Sequence, residues 1–181
     1  MKAVAALIGT AVALVIAAGA LAQTPTGDPP RIEIGSSIGG IRLGMTEGEV
    51  VRAYGKPGVI TSRKEPSGQT VRLARYELHD GYMRVTYFRR KVAVVLTTSS
   101  FYKTPGGNGV GSVIELGSCQ RTRTGACVRR WKGFTYDDCG GWLAESPKGV
   151  HTLLSGEVKR NGKTRVVSVM IGDADFSVTC F

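Results

Sequence analysis

Histidine is scarce in this 181-residue chain, with two copies, and 14 acidic side chains face 24 lysines and arginines. Two histidines leave little for general-base chemistry, and there is no G-x-S-x-G elbow, no H-E-x-x-H pair and no P-loop. A glycine-rich dinucleotide fingerprint is also missing, and the chain is short for a Rossmann-type cofactor enzyme. The basic excess excludes an acidic disordered tail, and glycine without a fixed period excludes a collagen-like repeat. Cysteine is absent before Cys119; all four copies, Cys119, Cys127, Cys139 and Cys180, lie in the second half. None of the gaps between them has the short spacing of a metal-ligand pair, and neither histidine is placed to complete a set. These absences predict no cofactor, no metal and no catalysis. A hydrolase without a recognisable motif is the enzymatic alternative.

What is present begins with one long apolar run. Lys2, the stretch Val4 to Ala18 and the small-residue site Ala20-Leu21-Ala22 have the three-part layout of a secretory leader cleaved after Ala22. An uncleaved anchor is the alternative, since Ala3 to Leu21 nearly spans a bilayer. The expected product is exported, to a periplasm or to the medium, with no stable membrane span. No cysteine follows the cleavage site, which argues against a lipid-anchored lipoprotein. An even cysteine count in an exported chain predicts two disulfides with three possible pairings. Cys119–Cys127 with Cys139–Cys180 is the favoured pairing.

The remaining chain divides into a Pro-rich linker at 23–31, a first unit at 32–104, a connector at 105–111 and a second unit at 112–181. Valine outnumbers leucine after the leader, and β-branched side chains suit pleated sheets. Short strands are expected at Ile32-Glu33-Ile34 and Ile38 to Leu43. Thr46 followed by Glu49 forms a capping box, with Met45 and Val50 at hydrophobic-staple spacing, so a helix is predicted from Glu47 to Tyr54, stopped by Gly55 and Pro57. Three strands should follow, Val71 to Leu78, Tyr82 to Phe88 and Val92 to Thr97, turning at His79-Asp80-Gly81 and Arg89-Arg90-Lys91. Ser112-Val113-Ile114-Glu115 is a second capping box, predicting a very short helix cut by Gly117. Strands are expected at Trp142 to Glu145, His151 to Lys159, Thr164 to Gly172 and Phe176 to Phe181, with a turn at Asn161-Gly162. The fold class is therefore α+β: a short helix packed on an antiparallel β-meander, with a second, degenerate copy. One enlarged domain is the alternative.

The segment Gly40-Ile41-Arg42-Leu43-Gly44-Met45-Thr46, continued by Glu49-Val50 and Tyr54-Gly55-Lys56-Pro57, resembles a recurrent bacterial module. It is similar to the opening of the β-lactamase-inhibitory-protein-like group, which includes the outer-membrane lipoprotein family called small protein A. The match is close over about 18 residues and loose over about 75 with the meander. The resemblance implies a short helical element on an antiparallel sheet, sometimes in tandem copies. It also implies action by binding proteins, as inhibitor or assembly scaffold.

Other candidate residues are weighed against ordinary roles. His79 reads as a solvated turn residue and His151 as a structural one. Asp137-Asp138, and Asp173 with Asp175, are too few to cage a hard cation. The basic clusters carry the functional expectation: Arg89, Arg90 and Lys91; Arg121 with Arg123; Arg129 and Arg130 with Lys132; and Lys159-Arg160 with Lys163, all in predicted turns or loops. Trp131, Phe134 and Tyr136 interleave with the third, as interface or as core. Converging turns would steer an anionic partner to the clusters centred on Arg89 and Arg130. A protein partner is expected, with an anionic envelope polymer or lipid headgroups as the alternative and no nucleic acid.

Overall fold

The structure, a computed structural model, describes residues 31–64, 68–115, 120–121, 123, 127–136, 141–146, 149–158 and 163–173. The expected leader, the linker before Arg31, the 161–162 turn, the final strand and three of the cysteines (Cys119, Cys139 and Cys180) lie outside the described residues.

Three two-residue strands open the fold: β1 (Ile32–Glu33), β2 (Ser37–Ile38) and β3 (Ile41–Arg42). The single strand expected from Ile38 to Leu43 is broken because Gly39 and Gly40 turn the chain at φ 60° and 80°. Gly39 is also held by contact: a Cβ there would lie 2.6 Å from Tyr102 Cε1. Helix α1 (Glu47–Tyr54) follows within its predicted limits. Glu49 N donates to Thr46 Oγ1 at 3.3 Å, and Thr46 N donates back to Glu49 Oε2 at 2.7 Å. These bonds hold the Glu49 carboxyl below its usual range. Gly55, at φ 88°, ends the helix.

The first meander is β4 (Val59–Lys64), β5 (Thr70–Leu78), β6 (Gly81–Phe88) and β7 (Lys91–Thr97), each antiparallel to the next. The sequence did not signal β4, because all six of its residues are exposed and no alternation marks it. The second box forms no helix: Val113–Glu115 is strand β8, with Ile114 buried between two exposed neighbours. Short β9 (Gln120–Arg121) pairs with β10 (Cys127–Val128), placing Cys127 opposite Arg121. A second meander follows: β11 (Arg130–Trp131), β12 (Phe134–Tyr136), β13 (Gly141–Glu145), β14 (Val150–Val158) and β15 (Lys163–Asp173).

The two meanders meet through their last strands. Among the described residues the sheet runs β11-β12-β13-β14-β15-β7-β6-β5-β4, with β8 also on β15. One edge of β15 is shared: Val169–Gly172 pair with β7, and Lys163–Arg165 pair with β8. Between these stretches the β14–β15 register skips from Ser155↔Ser168 to Gly156↔Val166, leaving Val167 as a bulge. A bulge reverses the side-chain alternation, so Val166 faces the core together with Val169 and Ile171.

One core lies against a single face of this sheet. It joins Ala74, Tyr76, Val85 and Val95 of the first meander to Phe134, Ala144, Leu154 and Ile171 of the second. Over it lie α1, through Val50, and the β1–β3 ribbon, through Ile32, Ile38 and Ile41. Gly35 N donates to Thr152 Oγ1 at 2.7 Å, which docks the ribbon on β14.

Candidate functional site

Among the described residues, one concavity sits where α1 begins. Two backbone bonds fix that position: Gly44 N donates to Val92 O and Val92 N to Met45 O, both at 2.8 Å. The start of the helix is thereby clamped to the start of β7, beside the Arg89–Arg90 turn. The result is a cleft of about 580 Å3, walled by Thr46–Gly48, by Arg72 on β5, by Tyr87 on β6 and by the two turn arginines.

The turn itself is unusual. Arg89 and Arg90 have φ 49° and 65°, the left-handed pair that a two-residue hairpin of this kind demands. Asn-Gly is the ordinary solution there; an L-residue with a long side chain costs roughly 1–2 kcal/mol in that region. Arg89 rests over the Phe88 ring, 5.1 Å from its centroid. Across the cleft, Arg72 Nη1 is 3.1 Å from Glu47 Oε2. Arg72 is therefore engaged with the helix, and the turn arginines supply the unbalanced charge. Lys91 sits as the first residue of β7 rather than in the turn.

Tyr87 lines the same cleft at 2% exposure, and its hydroxyl has no hydrogen-bond partner. Tyr76, on β5, and Tyr54, the last residue of α1, have unpartnered buried hydroxyls as well. The Tyr54 and Tyr76 rings meet edge to face, with centroids 5.2 Å apart. Tyr76 and Tyr87 approach one another without reaching hydrogen-bond geometry. Burial, and then Tyr76, push the Tyr87 phenol above its usual range, so it stays a neutral donor.

The second expected cluster is built differently. Arg130 lies within β11 rather than in a loop, whereas Arg129 precedes that strand outside regular structure, half-buried with an unpartnered Nε. Lys132 and Gly133 form the β11–β12 turn, with φ 44° and 87°. The Lys132 ammonium stands 5.3 Å from the Trp131 ring centroid. Phe134 is buried in the core, with Trp131 and Tyr136 packed against it, so these aromatics belong to the fold. Arg121, expected in a loop, lies in β9; Lys163, expected at a turn, opens β15 and pairs with Glu115 at 2.6 Å. The Lys132 and Arg89–Arg90 turns leave the same end of the sheet, but β15, β14 and β13 lie between them. Four strand spacings make that separation about 19 Å.

The histidines stand apart from the cleft. His79 is exposed in the β5–β6 turn, and His151 is buried on β14, in register with Gly172 on the face away from α1. Beside His79, Asp80 accepts bonds from the Ser99 and Ser100 hydroxyls and, at 2.8 Å, from Ser100 N. These bonds, the Ser100 side chain foremost, hold its carboxyl down to about 2. That network ties a hairpin to the strand end after β7. Among the described residues no group of three metal-ligating side chains occurs, and no helix is long and apolar enough to cross a membrane.

Sequence reasoning named Arg89 and Arg90 but missed Tyr87, Arg72 and the first turn of α1. Arg-Arg at the centre of a two-residue hairpin was the available signal, since the turn chemistry is wrong for those residues.

No protein-family model matches this chain, and no curated protein sequence matches it. Two solved structures are similar in outline. One is a cysteine-rich secretory protein from Staphylococcus aureus subsp. aureus Mu50, with TM-score 0.49 and 12% identity, covering 78% of this chain and 48% of the other. The second is an extracellular protein containing a SCP domain from Bacillus anthracis str. Ames, with TM-score 0.45 and 15% identity, covering 72% and 44%. This chain thus spans about half the length of either neighbour or less. Neither is described as a member of the β-lactamase-inhibitory-protein-like group, and that resemblance rests on the residues that carry it.

Proposed function

We propose that this chain is an exported, non-catalytic binding module that recognises a protein partner. The leader pattern at residues 1–22 supports export, and the Gly40–Pro57 motif supports kinship with modules that bind proteins. The observation that carries the reading is the outer edge of β4. Among the described residues β4 has no neighbour beyond it, and Val59 and Ile60 are 49% and 43% exposed. Such an edge offers a row of backbone donors and acceptors to an added strand, with side-chain pockets supplying selectivity. A photo-crosslinking residue at Ile60, in the protein returned to its native envelope or culture fluid, is expected to capture one discrete protein. The same probe at Val167, also exposed on the bulge, should not. Identical adducts at both positions, or none at Ile60, would sink the reading.

A second reading, an anionic envelope polymer or lipid headgroups held by the loop Arg and Lys, draws support from the two basic turns at one end of the sheet. A polymer spanning both turns would be released by neutralising Arg129, Arg130 and Lys132. A protein seated at β4 would be indifferent to that change.

A further inference from the structure

We infer that the outer edge of β4 accepts a partner strand of one pattern: an antiparallel extended segment with acidic residues first and apolar residues after them. This deepens the protein-binding reading and rests on it. Strand β4 is Val59-Ile60-Thr61-Ser62-Arg63-Lys64, and all six residues are exposed. Strand alternation divides it into two triplets. Ile60, Ser62 and Lys64 lie on the face turned towards α1, since Ile60 is in register with the core residue Ala74. Val59, Thr61 and Arg63 lie on the other face. Each triplet runs apolar, hydroxyl, basic in the same direction. The edge is therefore polarised along its length on both faces at once.

The rest of the sheet reinforces that polarity. Lys64 pairs with Thr70, and Val71 with Phe88, so the exposed Arg89–Arg90 turn stands at the basic end of β4. Two strand spacings put it about 10 Å away, close to the screening length at moderate salt. At the apolar end Val59 pairs with Arg75, whose charge is met by Glu77 at 2.7 Å. Lysine on an edge strand ordinarily discourages pairing. Here the two basic residues are adjacent and terminal, so Val59–Ser62 stay open and the charge filters what is added. Opposite charges and apolar side chains facing each other across strands stabilise a pair, and like charges oppose it. A second copy of β4 matches poorly. Antiparallel, it sets Arg63 and Lys64 against Ile60 and Val59; parallel and in register, it sets like charges together. The neighbours from β4 to β7 are all antiparallel, the more stable arrangement. In that direction the added strand begins beside Lys64, so its acids come first.

The test is an NMR titration of the protein with acetyl-Glu-Glu-Thr-Thr-Val-Val-amide, its reverse acetyl-Val-Val-Thr-Thr-Glu-Glu-amide, and acetyl-Lys-Lys-Thr-Thr-Val-Val-amide. Amide shifts of residues 59–64 should move with the first peptide, at an affinity about fivefold above the reverse and roughly tenfold above the Lys peptide. The double variant Arg63→Glu, Lys64→Glu changes exposed positions only, so its other amide shifts should stay in place while its preference passes to the Lys peptide. Equal or tighter binding of the reverse peptide, no movement at 59–64 with any peptide, or an unchanged preference in the double variant would each overturn the inference. Shifts at 59–64 that follow protein concentration alone would also overturn it, in favour of a second copy. Capture of a protein at Ile60 without any order preference among the peptides would remove this pattern and leave the β4 reading standing. A preference without capture would remove that reading instead.

Discussion

The two meanders are joined edge to edge, but only the first carries a helix among the described residues. The pattern S/T-x-x-E heads each of them, as Thr46–Glu49 and as Ser112–Glu115. In the first, both reciprocal bonds of the box form and eight helical residues follow. In the second, Ser112 Oγ accepts from Gly109 N at 3.0 Å and Glu115 reaches across to Lys163. The box residues are therefore employed in a strand. A capping box settles where a helix starts only if the chain beyond it can supply turns to propagate it. Residues 47–54 offer two turns before Gly55, whereas Gly117 interrupts the second copy almost at once. The sheet also competes for that segment: β7 ends at Thr97, so the far half of β15 has an open edge that Val113–Glu115 fills.

The severest challenge to this comparison is whether the meanders are energetically separate. The shared core predicts that they are not. Leu154→Ala, on β14 at a fully buried position, should cost about 3 kcal/mol. The loss should appear equally in tryptophan fluorescence, which reports the second meander through Trp131 and Trp142, and in far-ultraviolet dichroism, which reports both. Two unfolding midpoints would show that the halves melt separately and that the seam is weak.

A sharper contrast comes from the two boxes. Thr46→Ala should destabilise by about 1 kcal/mol, a normal loss for an N-cap. Ser112→Ala should cost less than about 0.5 kcal/mol, because its hydroxyl serves a loop amide rather than a helix end. Equal losses in urea titrations would mean that the second box has helical character in solution.

The smallest effect concerns Asp80, part of a tie that belongs to the first meander alone among the described residues. Its folded pKa is lowered to about 2, below an unfolded value near 3.9. The stabilisation is thus complete above about pH 4 and disappears as pH falls through about 2. Exposure limits it to about 0.5–1 kcal/mol. Melting temperatures of the unsubstituted chain and Asp80→Asn should differ at pH 6 and converge near pH 2. A constant gap across that window would assign the effect to something other than charge.

How much of this could be read from the sequence depends on distance along the chain. Helix α1 was legible to its ends because its start and stop signals are local. Strands β5 to β7 were legible because alternation and two-residue turns define them together. Strand β4 was not, since a fully exposed edge strand has no buried face to imprint a period. The β11–β12 hairpin was missed because Lys132-Gly133 lacks the Asn-Gly signature and the basic residues around it suggested a loop. The seam was out of reach altogether: β15 finds β7 across more than sixty residues of chain. For the candidate site, the arginines showed themselves by their wrong turn chemistry. Tyr87 and Arg72 looked like ordinary strand residues until folding brought α1 over them.

The sharing of β15 also sets an order of assembly. Every other described strand precedes it in the chain, yet the open edge of β7 is closed only when residues 163–173 arrive. A chain delivered N-terminus first would hold its first meander unfinished until residues 163–173 had emerged. Contacts this remote in sequence form slowly, because the intervening loop must be closed before the pairing rewards it. In a chain exported as proposed, such lateness would keep the polypeptide from locking into its final shape while part of it is still in transit.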